Sequence, residues 1–481
     1  MIFHSLTFLA FFVAVVTLYW RLPHRAQNGL LLVSSYVFYG WVHPWFLTLI
    51  FASTVVDFWA GRGMATQPEK KRLFLGLSLV VNLGMLGFFK YFNFFASNVH
   101  AALAAVHFDL PISALHVVLP VGISFYTFQE LSYTLEVYKG KLEARRDFLD
   151  FATFVCFFPQ LVAGPIERAA HLLPQVEQPR TFSWPLARDA MFMILWGYFK
   201  KLVVADNAGV IANKVFALTE PGFFMLWAGV FAFGIQIYAD FSAYSDIARG
   251  TARWLGFDLM RNFNHPYLAT GPTDFWRRWH ISLSSWFRDY VYIPLGGSRA
   301  GRLIEYRNIL ATFLLSGFWH GASWNYVLWG AYHGVLLVVS RMIAPHRVHD
   351  PAARRRRFSA ALTPIRIVGM LVLTNVGWLF FRETDASYLW RELTTVPDLR
   401  NTFDRSAGLY LFLYTMVYST PLWINSLWEV YVGPRLRLRD HSGAVTSTAW
   451  IVSQTAVAGI LFALLLVFHS QQSLDFIYFR F

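Results

Sequence analysis

Two histidines, His320 and His280, have the residue type and setting that chemistry would need. His320 stands in FLLSGFWHGASWNYVLWGAYHG, an apolar run of membrane-entering length. An ionisable side chain inside such a run is expensive to bury, so it marks a functional site by default. Histidine titrates near neutrality and is the commonest general base. Gly317 and Gly321 flank His320 at i−3 and i+1 and leave its backbone open to close approach. Trp319, Trp324 and Trp329 supply rings that could wall an apolar tunnel. His280 lies 40 residues earlier, in DFWRRWHISLSSWFRDYVYIPLGGSR, a stretch too charged and too rich in tryptophan for bare lipid. The competing reading of a lone intramembrane histidine is a hydrogen bonder in helix packing. The glycines, the tryptophans and the second histidine favour chemistry. His333, facing a returning helix, reads as structural, and His265, in Asn264-His265-Pro266-Tyr267, reads as part of a turn.

Other chemistries are disfavoured. The sequence has no GxxxxGK[ST] phosphate loop, no GxSxG nucleophile elbow and no HxxxxD motif, which speaks against nucleotide hydrolysis and serine-nucleophile catalysis. Its one cysteine, Cys156, rules out an intrachain disulfide and a cysteine-rich zinc or redox site. Asp240 and Asp246 are six residues apart and share a helix face poorly, so they read as packing or ion pairs, and no metal site is expected. Transport of polysaccharide or lipid-linked intermediates stays open, because intramembrane charges suit it as well.

The elements that must hold these histidines are membrane helices. Of 481 residues, 56% are hydrophobic and only 14% charged, against about 25% in soluble domains. Apolar runs recur along the chain, which reads as one helical membrane domain over 1–481 with its core at 274–334. The 41 Lys and Arg against 28 Asp and Glu flank those runs, as the positive-inside rule requires, so nucleic-acid binding is not indicated. The N-terminal stretch reads as a retained first span, 5–20, and not as a removed signal peptide. Residues 73–95, 119–138, 222–247, 367–381, 407–431 and 446–469 read as further crossings. Residues 30–61 read as two short passes broken near Pro44, and 96–118 as an outside loop without Lys or Arg. Residues 151–163 are short for a crossing and lead into the proline-bracketed turn Phe158 to Ile166. Broken backbone at membrane depth survives only when buried in protein or lining a wet cavity. Arg341, Arg347, Arg354 to Arg357 and Arg366, and later Arg435, Arg437 and Arg439, mark cytoplasmic loops.

Within the core, Trp276, Trp279, His280, Leu283, Trp286, Phe287 and Tyr290 recur at helical spacing, with Arg277, Ser284, Ser285 and Arg288 opposite. One amphipathic helix is expected, ending at Pro294-Leu295-Gly296-Gly297. Arg307 and Arg341 both belong inside, so the residues between them go out and return. His320, 13 residues beyond Arg307, then lies roughly 20 Å along its helix, well inside a core about 30 Å thick.

Taken together, these motifs resemble the bacterial branch of the membrane-bound O-acyltransferases. Trp276-Arg277-Arg278-Trp279-His280, Tyr292-Ile293-Pro294-Leu295-Gly296-Gly297 and Phe318-Trp319-His320-Gly321-Ala322 carry the likeness. LPVGISFYTFQ from Leu119, FPQLVAGPI from Phe158, DFSAYSD from Asp240 and the terminal Phe476-Ile477-Tyr478-Phe479 support it. The chain is most similar to members that acetylate alginate and related polysaccharides, with the teichoic acid D-alanyl transferases as second relatives. The resemblance implies an all-α polytopic fold of roughly eleven tilted helices, with re-entrant and interfacial segments, around a central tunnel. It implies His320 as the catalytic base and His280 at a second motif position, where the eukaryotic branch usually has Asn or Asp. It also implies acetyl-CoA as donor; Arg277, Arg278 and Arg299 suit its phosphates and suit a lipid-facing role equally. An extracytoplasmic polysaccharide as acceptor, a periplasmic partner and a bacterial inner-membrane location complete the expectation. D-alanyl or peptidoglycan O-acyl transfer is the alternative within the same fold.

Overall fold

Apolar runs become helices, and among the described residues there is no strand, as expected of an all-α polytopic membrane protein. The computed structural model describes the chain except residues 109–114, 116–117, 163, 300, 344–361, 434–447, 471, 473 and 478–481. The arginine markers Arg347, Arg354 to Arg357, Arg435, Arg437 and Arg439, and Tyr478 and Phe479 of the terminal motif, lie outside the described residues. Among those described, five helices are long and apolar enough to cross a bilayer: Pro68–Ala105, Phe223–Trp254, Trp324–Ile343, Thr363–Arg382 and Thr448–Phe468. They differ in what surrounds them. The most apolar window of Thr448–Phe468 is 6% buried, so it faces lipid, whereas that of Phe223–Trp254 is 72% buried and lies inside the protein.

Helix starts follow local chemistry. Ser5, Asp147, Asp385 and Asn401 each accept a backbone N–H of the first turn that follows them. The Pro44 break separates His24–Gly40 from Phe46–Thr66, as read from the sequence. The outside loop expected at 96–118 begins later than expected. The Pro68–Ala105 helix continues through Ala101-Ala102-Leu103-Ala104-Ala105, residues of high helix propensity that need no charge to stay helical.

The chain forms two compact units. The first comprises residues 1–195 and 244–260. It holds the broken segment, Phe148–Cys156 followed by Phe158–Leu161, and every described residue from Phe151 to Ile166 is buried. Its freed backbone groups find partners inside the protein: Phe158 N–H donates to Ser35 Oγ at 3.0 Å, and Gln160 Nε2 donates to the Phe154 carbonyl at 2.9 Å. The expectation that this backbone survives by burial is met. Gly122, at φ 79°, lets the short helix Phe158–Leu161 approach it, since a Cβ there would sit 2.7 Å from the Leu161 carbonyl oxygen.

The second unit comprises residues 196–243 and 261–481. Its interior holds a buried ion cluster. Lys201 Nζ lies 2.8 Å from Asp206 and 3.1 Å from Asp240, and donates to the Leu474 carbonyl at 2.7 Å. Asp240 accepts the Ile477 N–H at 2.8 Å. Asp240 is thus an ion-pair residue, as read, and Asp246, in the first unit, lies 4.0 Å from Arg249.

Removing the lysine would leave two buried carboxylates facing each other. Lys201→Met should cost about 3–5 kcal/mol. Thermal unfolding in detergent would register it as a markedly lowered midpoint, and an unchanged midpoint would mean that the cluster carries no net stability.

Candidate active site

The helix Arg302–His320 and the helix Trp324–Ile343 form an antiparallel hairpin in the second unit, joined by residues 321–323. Their backbones meet at two glycines. A Cβ on Gly317 would overlap the Tyr326 carbonyl oxygen, and one on Gly330 would overlap that of Phe313. His320 is the last residue of the first helix, because Gly321 turns the chain to an extended conformation. The imidazole is therefore fixed one turn beyond the closest contact of the pair, and it is 4% exposed.

His280 arrives differently. The single amphipathic helix expected over 276–290 is broken: Pro272–Trp276 and Ile281–Phe287 are separate short helices, and a π-helical turn, Arg288–Tyr292, follows. The break falls at His280, whose φ of 40° is left-handed. Such backbone strains a residue other than glycine and persists only where its surroundings hold it. Here Ile281 N–H donates to the Asn262 carbonyl at 2.9 Å, Asn264 N–H to the Arg278 carbonyl at 2.9 Å, and Ser282 Oγ to Asn262 Oδ1 at 2.6 Å. His265, also left-handed, precedes the short helix Pro266–Leu268, so the turn read there is present.

Aromatic rings link the two histidines. Trp319 lies 5.0 Å from His320 and 6.2 Å from His280, ring centre to ring centre. Phe241 meets His280 edge-on at 4.6 Å. Trp329 and Phe381 close on His320 at 5.0 and 5.3 Å. His333, read as structural, stacks on Phe275 and lies against Trp276 and Trp329.

A cleft of about 410 Å³ opens beside this cluster. Arg277, Arg288 and Arg341 line it together with the hydroxyls of Thr273, Ser284, Ser285, Thr312 and Ser316. Ser316 is one turn before His320, and Trp276 of the cleft wall is 5.7 Å from Trp329. Arg341 has Glu305 at 3.7 Å, Arg288 has Asp289 at 2.8 Å, and the Arg277 charge is near enough to Arg341 to repel it. Like charges held together around hydroxyl groups make a place for an anion. Of the three arginines expected near a donor, only Arg277 lines the cleft. Arg278 pairs with Asp274 at 2.9 Å, and Arg299 is exposed. Arg288 was legible on the polar face with Ser284 and Ser285, and Arg341 only as a charge marking a cytoplasmic end. A larger cleft of about 930 Å³, between Phe223–Trp254, Thr363–Arg382 and Thr402–Leu427, is walled by Phe231, Leu409 and Phe412 among other apolar groups. Among the described residues no histidine lines either cleft, and the smaller one reaches Ser316, one turn before His320.

The profile of MBOAT, the membrane-bound O-acyltransferase family, matches residues 142–381, which contain both histidines and the cleft. The chain is 42% identical over 397 residues to a probable alginate O-acetylase, AlgI, of Azotobacter vinelandii, covering 81% of this chain and 77% of that protein. It is 32% identical to a peptidoglycan O-acetyltransferase of Helicobacter pylori across 100% of this chain and 98% of that one. A teichoic acid D-alanyltransferase of Bacillus subtilis is 29% identical over 45% of this chain and 58% of its own length.

The glycine crossing gives a direct test. Gly330→Val should push the hairpin apart and destabilise it by about 1–3 kcal/mol. A lowered unfolding midpoint in detergent is expected, and wild-type stability would show that the helices need no bare backbone there.

Proposed function

Because this chain belongs to the membrane-bound O-acyltransferase family, we propose that it moves acetyl groups from acetyl-CoA on the cytoplasmic side to hydroxyls of an extracytoplasmic polysaccharide. The setting is the bacterial cytoplasmic membrane, and a periplasmic partner completes delivery to the polymer. The observation that carries this reading is the basic cleft that reaches within one turn of His320.

Acetyl-CoA joins phosphates to a thioester through an amide-bearing arm. The guanidinium groups of Arg277, Arg288 and Arg341 suit the phosphates, as planar donors that are always charged. The hydroxyls of Ser284, Ser285 and Thr312 suit the amides of the arm. These arginines, with Arg299, Arg302 and Arg307 nearby in sequence, put the mouth of the cleft on the cytoplasmic side by the charge rule. His320 acts as general base on the incoming hydroxyl, and His280, across Trp319, orients the thioester. The full-length likeness to a peptidoglycan O-acetyltransferase and the higher identity to alginate O-acetylases both favour sugar hydroxyls as acceptors. D-alanyl transfer draws on a likeness over less than half the chain.

Purified protein in detergent, given acetyl-labelled acetyl-CoA, should turn the thioester over. His320→Ala should lower that turnover by about 10²–10⁴-fold, the usual worth of a general base. Full activity in that variant would remove His320 from the chemistry. Arg277→Ala and Arg341→Ala should raise KM for acetyl-CoA several-fold with kcat little changed, and should flatten the dependence of KM on salt. Steady-state kinetics across a salt series would contradict the cleft assignment if KM stayed at the wild-type value.

A further inference from the structure

Trp329 is the largest ring packed against His320 that is itself fully buried, at 1% exposed. Its indole N–H has no hydrogen-bond partner among the described residues. Buried N–H groups are nearly always paired in native structures, so an orphan beside a reactive centre asks for a ligand. Aromatic and imidazole rings pack around Trp329. His320 stands edge-on to it at 5.0 Å and 88°, Phe381 at 5.4 Å, His333 at 5.0 Å and Trp276 at 5.7 Å. Trp276 lines the basic cleft, so Trp329 touches both a ring of the cleft wall and the His320 ring.

We propose that Trp329 is a catalytic residue whose indole N–H donates a hydrogen bond to the carbonyl oxygen of the bound thioester. This rests on the acetyl-transfer reading given above. The step needs such a donor. His320 accepts the proton of the acceptor hydroxyl as its oxygen bonds to the thioester carbon. The carbonyl π pair moves onto the oxygen, and the Trp329 N–H holds that oxyanion. The pair then returns, the C–S bond breaks, and His320 passes the proton to the leaving thiolate. The products are an acetyl ester and a free thiol, with no net gain or loss of protons or electrons. A fixed dipole in a dry aromatic surround is worth far more to a developing charge than the same group in water.

The discriminating variant is Trp329→Phe, which keeps an aromatic ring and removes only the donor and part of the ring. Turnover of acetyl-CoA by the purified protein should fall by about 10²–10³-fold in kcat, with KM within a few-fold of wild type. The unfolding midpoint in detergent, read on the same preparation, separates this from loss of packing. A folded variant with wild-type kcat overturns the proposal. His320→Ala is run beside it. If that variant loses activity and Trp329→Phe does not, the acetyl-transfer reading stands and this inference alone falls. If His320→Ala stays active, His320 is not the base and this step falls with it, and if the wild-type protein turns over no acetyl-CoA the acetyl-transfer reading falls. Should Trp329→Phe fail to fold, infrared spectra of carbonyl-¹³C acetyl-CoA bound to His320→Ala, with Trp329 intact, give the second reading. The proposal expects a carbonyl band lowered relative to the same thioester in detergent buffer, and an unshifted band overturns it.

Discussion

Backbone touches backbone where Gly317 crosses Gly330, and the position of His320 follows from that contact. Lipid tails are as apolar as leucine, so membrane helices are not driven together by hydrophobic burial and rely on close packing. Bare glycines allow the closest approach, and here they lie within one turn of the imidazole. Aromatic residues pack around the imidazole. Trp319 fills the side toward His280, and Trp329 and Phe381 fill the side toward the returning helices.

Much of this was legible in the sequence, and the remainder fails for identifiable reasons. The polar face Arg277, Ser284, Ser285 and Arg288 lines the cleft, although the continuous helix that predicted the face does not exist. The break itself was invisible, because left-handed backbone is usually announced by glycine and here the residue is His280. Arg341 shows a different limit. Its charge placed one end of a helix correctly, but its proximity to Arg277 depends on tertiary packing that no local pattern encodes. His333 was read as structural, and one of its neighbours, Trp329, also packs on His320.

Charge inside the second unit is handled by pairing over long sequence distances. Lys201, Asp206 and Asp240 neutralise one another in part, and the backbone at Leu474 and Ile477 supplies further hydrogen bonds. A buried ion pair is tolerable only when its remaining donors and acceptors are met. Asp240 read as a packing or ion-pair residue from its spacing to Asp246, yet its backbone partner Ile477 lies 237 residues away. Phe476, between those two anchor points, is fully buried and packs on Phe241, which also meets His280. The last described stretch of chain is thereby part of the packing behind the second histidine.

The positive φ of His280 also restricts which amino acids evolution can place there. Asparagine, aspartate and histidine are the side chains that enter left-handed backbone most readily after glycine. Those are the residues that the resemblance associates with this motif position across distant branches, histidine in bacteria and asparagine or aspartate in eukaryotes. Steric tolerance of the main chain thus supplies a reason for that narrow choice that is separate from catalysis.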